Sequence, residues 1–139
     1  MRTALRRFRR RWRAEERGSA TAELVIATPV LLLLILLVVQ FALWQHSVHV
    51  AQAAASQGLA AARVHGGTAG AGQGEANLVL GQLSHSVLVH PSVRVTRGAN
   101  TTAVTVAGEA QSVVPFLHLP VHETASGPVE RFRAPGAGP

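Results

Sequence analysis

The feature that most constrains this chain is an uncharged run of 21 residues, 24–44, reading LVIATPVLLLLILLVVQFALW. Fifteen of its side chains are Leu, Ile, Val or Phe, and only Thr28, Pro29 and Gln40 interrupt it with a polar or helix-breaking group. Coiled as an α-helix it is roughly 31 Å long, which matches the hydrocarbon thickness of a bilayer. Moving the fifteen apolar side chains into a membrane is worth about −4.5 to −9 kcal/mol, an upper bound because residues near the ends count for less. A buried helix in a water-soluble domain is the competing reading, but a chain of 139 residues has too little other apolar material to surround it. A cleaved secretory signal is a second competitor. The run is longer than the roughly 7–15 apolar residues of a signal core, and the candidate site Ala53-Ala54-Ala55 lies well beyond its end. The sequence predicts one transmembrane helix.

The charges give that helix a direction. Residues 1–17 hold eight Arg against two Glu, which accounts for the whole net charge of +6; the rest of the chain holds five of each and is neutral. An Arg-rich flank stays in the cytoplasm, so the residues after the span are expected outside. This topogenic role accounts for the basic arm without nucleic acid as a partner. Lys, Asp, Cys and Tyr are absent, which excludes disulfides, thiolate metal sites, Cys or Lys nucleophiles and Asp-based triads. No acid, base and nucleophile set remains, so the chain reads as a non-enzyme with no catalytic residue and no cofactor. Seven His invite a metal reading. His46 and His49 are three apart, and His118 and His122 bracket a Pro that argues against helical ligand spacing; without a third clustered ligand no metal site is expected.

Beyond the span the sequence divides into short segments. Residues 45–64 are Ala-rich and free of Pro, so one helix over about 19–64 is predicted, the span continuing as a stalk that stops at Gly66-Gly67. Ala54, Gly58 and Ala62 recur every four residues along it, a spacing that lets another helix approach closely. Residues 65–74 read as a flexible Gly-rich linker, and Ala76, Val79, Leu80 and Leu83 as the apolar stripe of a short helix over about 75–85. Pro91 marks a break. Alternation in SVRVTR at 92–97 and TAVTVA at 102–107, around a turn at Gly98-Ala99-Asn100, predicts a β-hairpin with Val93 and Val95 facing Val104 and Val106. A last strand is expected around 121–125, and a disordered tail over 134–139. The fold class is therefore α+β: a long N-terminal helix, then a small exported domain over 75–133 with a short helix and a hairpin or small antiparallel sheet. With Phe116 and Phe132 as its only aromatics, that domain is marginal alone, so association is expected to stabilise it.

The junction before the span reads Arg17-Gly18-Ser19-Ala20-Thr21-Ala22-Glu23. A carboxylate abutting a membrane span needs a reason. Read from physics alone, it is a first-turn Glu that favours the helix dipole in the headgroup layer. A basic leader, a Gly, four small residues, a Glu and a long apolar helix together resemble the type IV prepilin junction. With Pro29 six residues after Glu23, and the Ala-rich extension, residues 16–64 resemble the TadE-like family of tight-adherence (Flp) pilus pseudopilins. Ser19 stands where the family has an aromatic residue and Gln40 where it has an acid, while its following Phe is kept as Phe41.

The resemblance implies a bacterial cytoplasmic-membrane protein, single-pass, N-terminus in and C-terminus out, that can enter an extracellular pilus. It implies Gly18 and Ser19 as the processing site of a prepilin peptidase. It also implies that Glu23 and Pro29 serve assembly with other Tad pilins, pseudopilins and pilus assembly proteins. Besides these, the partner is the lipid bilayer. The alternative function is a single-pass anchor whose small exported domain binds some other partner.

Overall fold

The computed structural model describes residues 2–84 and 87–130, with side chains from residue 21 onward. It is an α+β fold with the order α1 (Arg2–Arg63), α2 (Ala69–Leu83), β1 (Leu88–Arg97), β2 (Thr101–Ala110) and β3 (Leu119–Pro128). The chain divides into two compact units, Met1–Val38 and Val39–Pro139, and α1 contributes to both.

In the first unit α1 starts at Arg2 rather than near residue 19, since the leader consists of good helix formers and its lone Gly18 does not end the helix. The stretch Thr21–Arg63 is long and apolar enough to cross a membrane. Its large apolar side chains from Leu24 to Val39 are exposed, as lipid contact requires. Pro29 sits inside the helix and removes one backbone donor. Immediately before it, the Thr28 hydroxyl donates to the Leu24 carbonyl at 2.7 Å, so its polar group is satisfied within the helix.

In the second unit the C-terminal part of α1 and all of α2 cover one face of a three-stranded antiparallel sheet of order β1-β2-β3. The hairpin register pairs Val93 with Val106 and Val95 with Val104, as the alternation predicts. β3 extends past 121–125 at both ends and pairs Val104 with Ala125 and Gly108 with Val121. β1 also runs further than expected. Pro91 is a bulge inside it rather than its boundary, with the register shifting between Val89 and Ser92 and His90 at φ 50°. The core joins Val50, Ala51, Ala54 and Ala55 of α1 to Leu80, Leu88, Val104, Val106, Ala110 and Val121. The expected separation of a helical stalk from a domain at 75–133 is thus corrected. The stalk forms one wall of that domain's core, because its Ala side chains let helix and sheet meet closely.

The linker expected at 65–74 is corrected too. Residues 69–74 are the first turns of α2, started by Thr68, whose hydroxyl accepts from the Ala71 N–H at 3.0 Å. Gly72 is there for closeness, not flexibility: a Cβ on it would stand 2.6 Å from the Ala62 Cβ and 2.7 Å from the Gly58 carbonyl oxygen. The buried stripe of α2 is accordingly Gly72, Ala76 and Leu80, while Leu83, expected in the core, is exposed at the helix end. His85, Phe132 and the tail expected at 134–139 lie outside the described residues.

Candidate functional site

Two groups of residues carry the functional questions, one in each unit. In the first, Gly18 and Ser19 lie on the α1 backbone, and their surroundings are outside the described residues. Glu23 is exposed, and among the described residues no ion pair reaches its carboxylate. Pro29 follows on the same helix. All four positions are therefore presented along α1 rather than gathered into a pocket. This arrangement suits recognition by another protein within or beside a membrane.

In the second unit α1 is tied to the sheet layer through its polar side chains. Gln40, only 1% exposed, uses its amide in both directions. Nε2 donates to the Gln111 carbonyl at 3.1 Å, and Oε1 accepts from the N–H groups of Val113 and Val114 at 2.7 and 3.3 Å. Trp44 Nε1 donates to the Pro120 carbonyl at 3.2 Å. The Ser47 hydroxyl lies 2.6 Å from the Val87 carbonyl and 2.9 Å from that of Leu43. Positions 40, 44 and 47 share one helix face, so three polar groups on an otherwise apolar surface reach backbone carbonyls of the sheet layer. In the sequence Gln40 reads as a polar interruption of the apolar run and a departure from a family pattern, and nothing marks Ser47 by itself. The signal that could have found them is their 4-and-3 spacing.

At its other end α1 is capped by residues distant in sequence. Arg97 Nη2 donates to the Val64 carbonyl at 3.3 Å, the Glu130 N–H donates to the Arg63 carbonyl at 2.9 Å, and the Arg63 and Glu130 side chains approach to 3.6 Å. A guanidinium beside the last helical carbonyls favours the helix dipole. Ala54, Gly58 and Ala62 are buried on one face between these ends. The neighbours that Gly58 and Ala62 meet are Gly72 and Ala76 of α2, so this small-residue face is occupied by the chain's own second helix.

Among the described residues no three His, Cys, Asp or Glu converge as a metal site; His118 Nδ1 stands 3.8 Å from Glu109 Oε2, both at the surface.

Among the described residues one helix, near the N-terminus, is long and apolar enough to cross a membrane, which fits the class of single-pass membrane anchors. Within that class, residues 18–59 match the model of the TadE-like protein family, the family that the junction and span resemble. The match covers the junction, the span and most of the stalk, and stops short of α2 and the sheet. No curated protein and no solved structure matches the chain.

Proposed function

We propose that this protein is a pseudopilin or minor pilin of a tight-adherence pilus, inserted in the cytoplasmic membrane and processed after Gly18. The observation that carries the reading is the family match, which begins at Gly18 and leaves the eight-Arg leader outside it. In this reading a prepilin peptidase adds water across the Gly18–Ser19 bond, and the leader departs with the new Gly18 carboxylate. The mature chain keeps a new amine on Ser19. Removing the leader strips away the charges that hold the helix at the cytoplasmic face and frees it for extraction into an assembly.

Glu23 is the fifth residue counted from Ser19. Its exposed carboxylate then accepts the Ser19 amine of its own or a neighbouring subunit. Left unpaired among packed apolar helices it would be costly to bury, so the pairing favours correct assembly over random aggregation of spans. Pro29, six residues on, relaxes the helix within the span where neighbouring helices pack.

The test is the N-terminal residue of the protein purified from its native host. Ser19 is expected, with faster migration on a gel when the peptidase is present. An intact Met1 in pili or envelope would remove the processing step and favour a permanent single-pass anchor.

A further inference from the structure

The loop between β2 and β3 is the least expected surface in the second unit. Phe116 in this loop is 98% exposed and has φ 67°, a conformation natural to Gly or Asn and strained for a bulky side chain. Among the described residues its ring packs against almost nothing, so packing with them does not account for an aromatic residue there. Val113 beside it is also exposed, whereas Val114 is buried and anchors the loop from within. Residues 111–117, QSVVPFL, carry no charge.

The loop's location identifies what it meets. Its backbone is held by Gln40, the buried amide that accepts from Val113 and Val114 and donates to Gln111. Gln40 belongs to the uncharged run 24–44, four residues before its end. Phe41 and Trp44 follow, their ring centroids 5.8 Å apart, at the place where aromatic residues mark the border between hydrocarbon and headgroups. A loop fixed to residue 40 therefore lies at the depth of that border.

Its own polar groups are partly satisfied. The Ser112 hydroxyl lies 2.7 and 2.9 Å from the carbonyls of Val114 and Leu117, and the Leu117 N–H donates to the Val114 carbonyl at 3.2 Å. This lowers the cost of leaving water. Ionisable groups return only at His118 and Glu109, where the chain rejoins the strands.

We propose that this loop docks into the outer interfacial layer of the same bilayer that α1 crosses, with Phe116 as its apolar anchor. The inference rests on the reading of α1 as a membrane span. Span and loop then form two points of attachment, and the second unit is held against the membrane surface instead of swinging on its helix.

The experiment exploits the absence of Cys from the chain. Single variants Leu34→Cys, Phe116→Cys and Thr124→Cys of the full chain carry an environment-sensitive fluorophore in phosphatidylcholine/phosphatidylglycerol vesicles. Quenchers are supplied on lipids at shallow and deep positions, and as iodide in water. The probe at position 116 should shift its emission to the blue, lose most of it to the shallow lipid quencher and resist iodide. The probe at 34 should respond to the deep quencher, and the probe at 124, on the open face of the sheet, to iodide alone.

Quenching of position 116 by iodide, while 34 still senses lipid, would overturn the docking and leave the span standing. Protection of 116 from both quenchers would mean that a second copy or another protein covers it, which also overturns the proposal. Failure of position 34 to sense lipid would remove the span reading and the docking with it. As a second arm, Phe116→Asn suits the backbone conformation and should keep the fold. A probe on Val113→Cys should nevertheless lose its shallow quenching in that background; unchanged quenching would show that Phe116 is not the anchor.

Discussion

A carboxamide donates and accepts at once, and Gln40 uses both abilities where a carboxylate or an aliphatic side chain could use one or neither. Its Oε1 receives two backbone N–H groups and its Nε2 supplies the Gln111 carbonyl, all on the loop that closes the sheet layer against α1. Gln40→Leu should therefore orphan three backbone groups at a position that is 1% exposed, with a cost of about 1–3 kcal/mol for each that water cannot reach. Thermal unfolding of the full chain in detergent, followed by circular dichroism, measures it. Gln40→Glu is the more discriminating change, since it keeps an acceptor for Val113 and Val114 and loses the amide donor to Gln111. A melting temperature equal to that of the wild type would show that the donor to Gln111 is unimportant. Glu23 presents the contrasting case of an exposed carboxylate, which the proposed assembly would pair with the Ser19 amine. Glu23→Ala should leave insertion and cleavage intact but reduce incorporation into the pilus, since breaking one half of a buried pair costs about 3–5 kcal/mol. A Glu serving only the helix dipole contributes about 0.3–1 kcal/mol, so co-purification of the Ala variant with its partners at wild-type levels would refute the pairing.

Among the elements, α2 demonstrates that glycines in one short helix can have opposite meanings. Gly72 faces α1 with no room for a Cβ, whereas Gly74 and Gly81 have nothing within 4 Å of where one would be. Helix propensity alone says that Gly→Ala stabilises each by roughly 0.5–1 kcal/mol. Gly74→Ala and Gly81→Ala should do so. Gly72→Ala should instead destabilise by about 1–3 kcal/mol, because the new methyl displaces Ala62 and the Gly58 carbonyl. Melting temperatures of the three variants in detergent test the sign of each, and stabilisation by Gly72→Ala would exclude the close α1–α2 contact. The same residues show what local sequence can reveal. The hairpin was legible because period-two alternation and a turn are local, and the span because it needs no partner within the chain. The 4-residue recurrence of Ala54, Gly58 and Ala62 leaves room for a close neighbour without specifying which one. Gly72 looks like part of a loose linker until α1 lies against it. Gln40 escaped for a similar reason, since its partners are 71 to 74 residues away.

For the molecule as a whole, the separation of charge from apolar surface makes a topological claim that no single residue makes. All of the net charge of +6 stands before the span, and the rest of the chain is neutral. A reporter fused after Pro139 should therefore be active only outside the cytoplasm, and activity inside would overturn the orientation. The same asymmetry connects topology to assembly. While the leader is attached, leaving the bilayer requires eight Arg side chains to follow the apolar segment through a hydrocarbon layer. Each charge costs about 2.5–3.5 kcal/mol at the centre on the insertion scale, so the attached leader raises a large barrier to extraction. In the proposed processing, cleavage would remove that barrier and leave an apolar helix that other spans can cover. Gly18→Leu, which fills the small-residue site, should yield an uncleaved chain that inserts in the same orientation yet stays wholly with the membrane fraction when pili are sheared from cells. Recovery of the uncleaved chain in sheared pili would show that the leader does not restrain the helix. Processing would then need another purpose, although the orientation and the family match at residues 18–59 would be untouched.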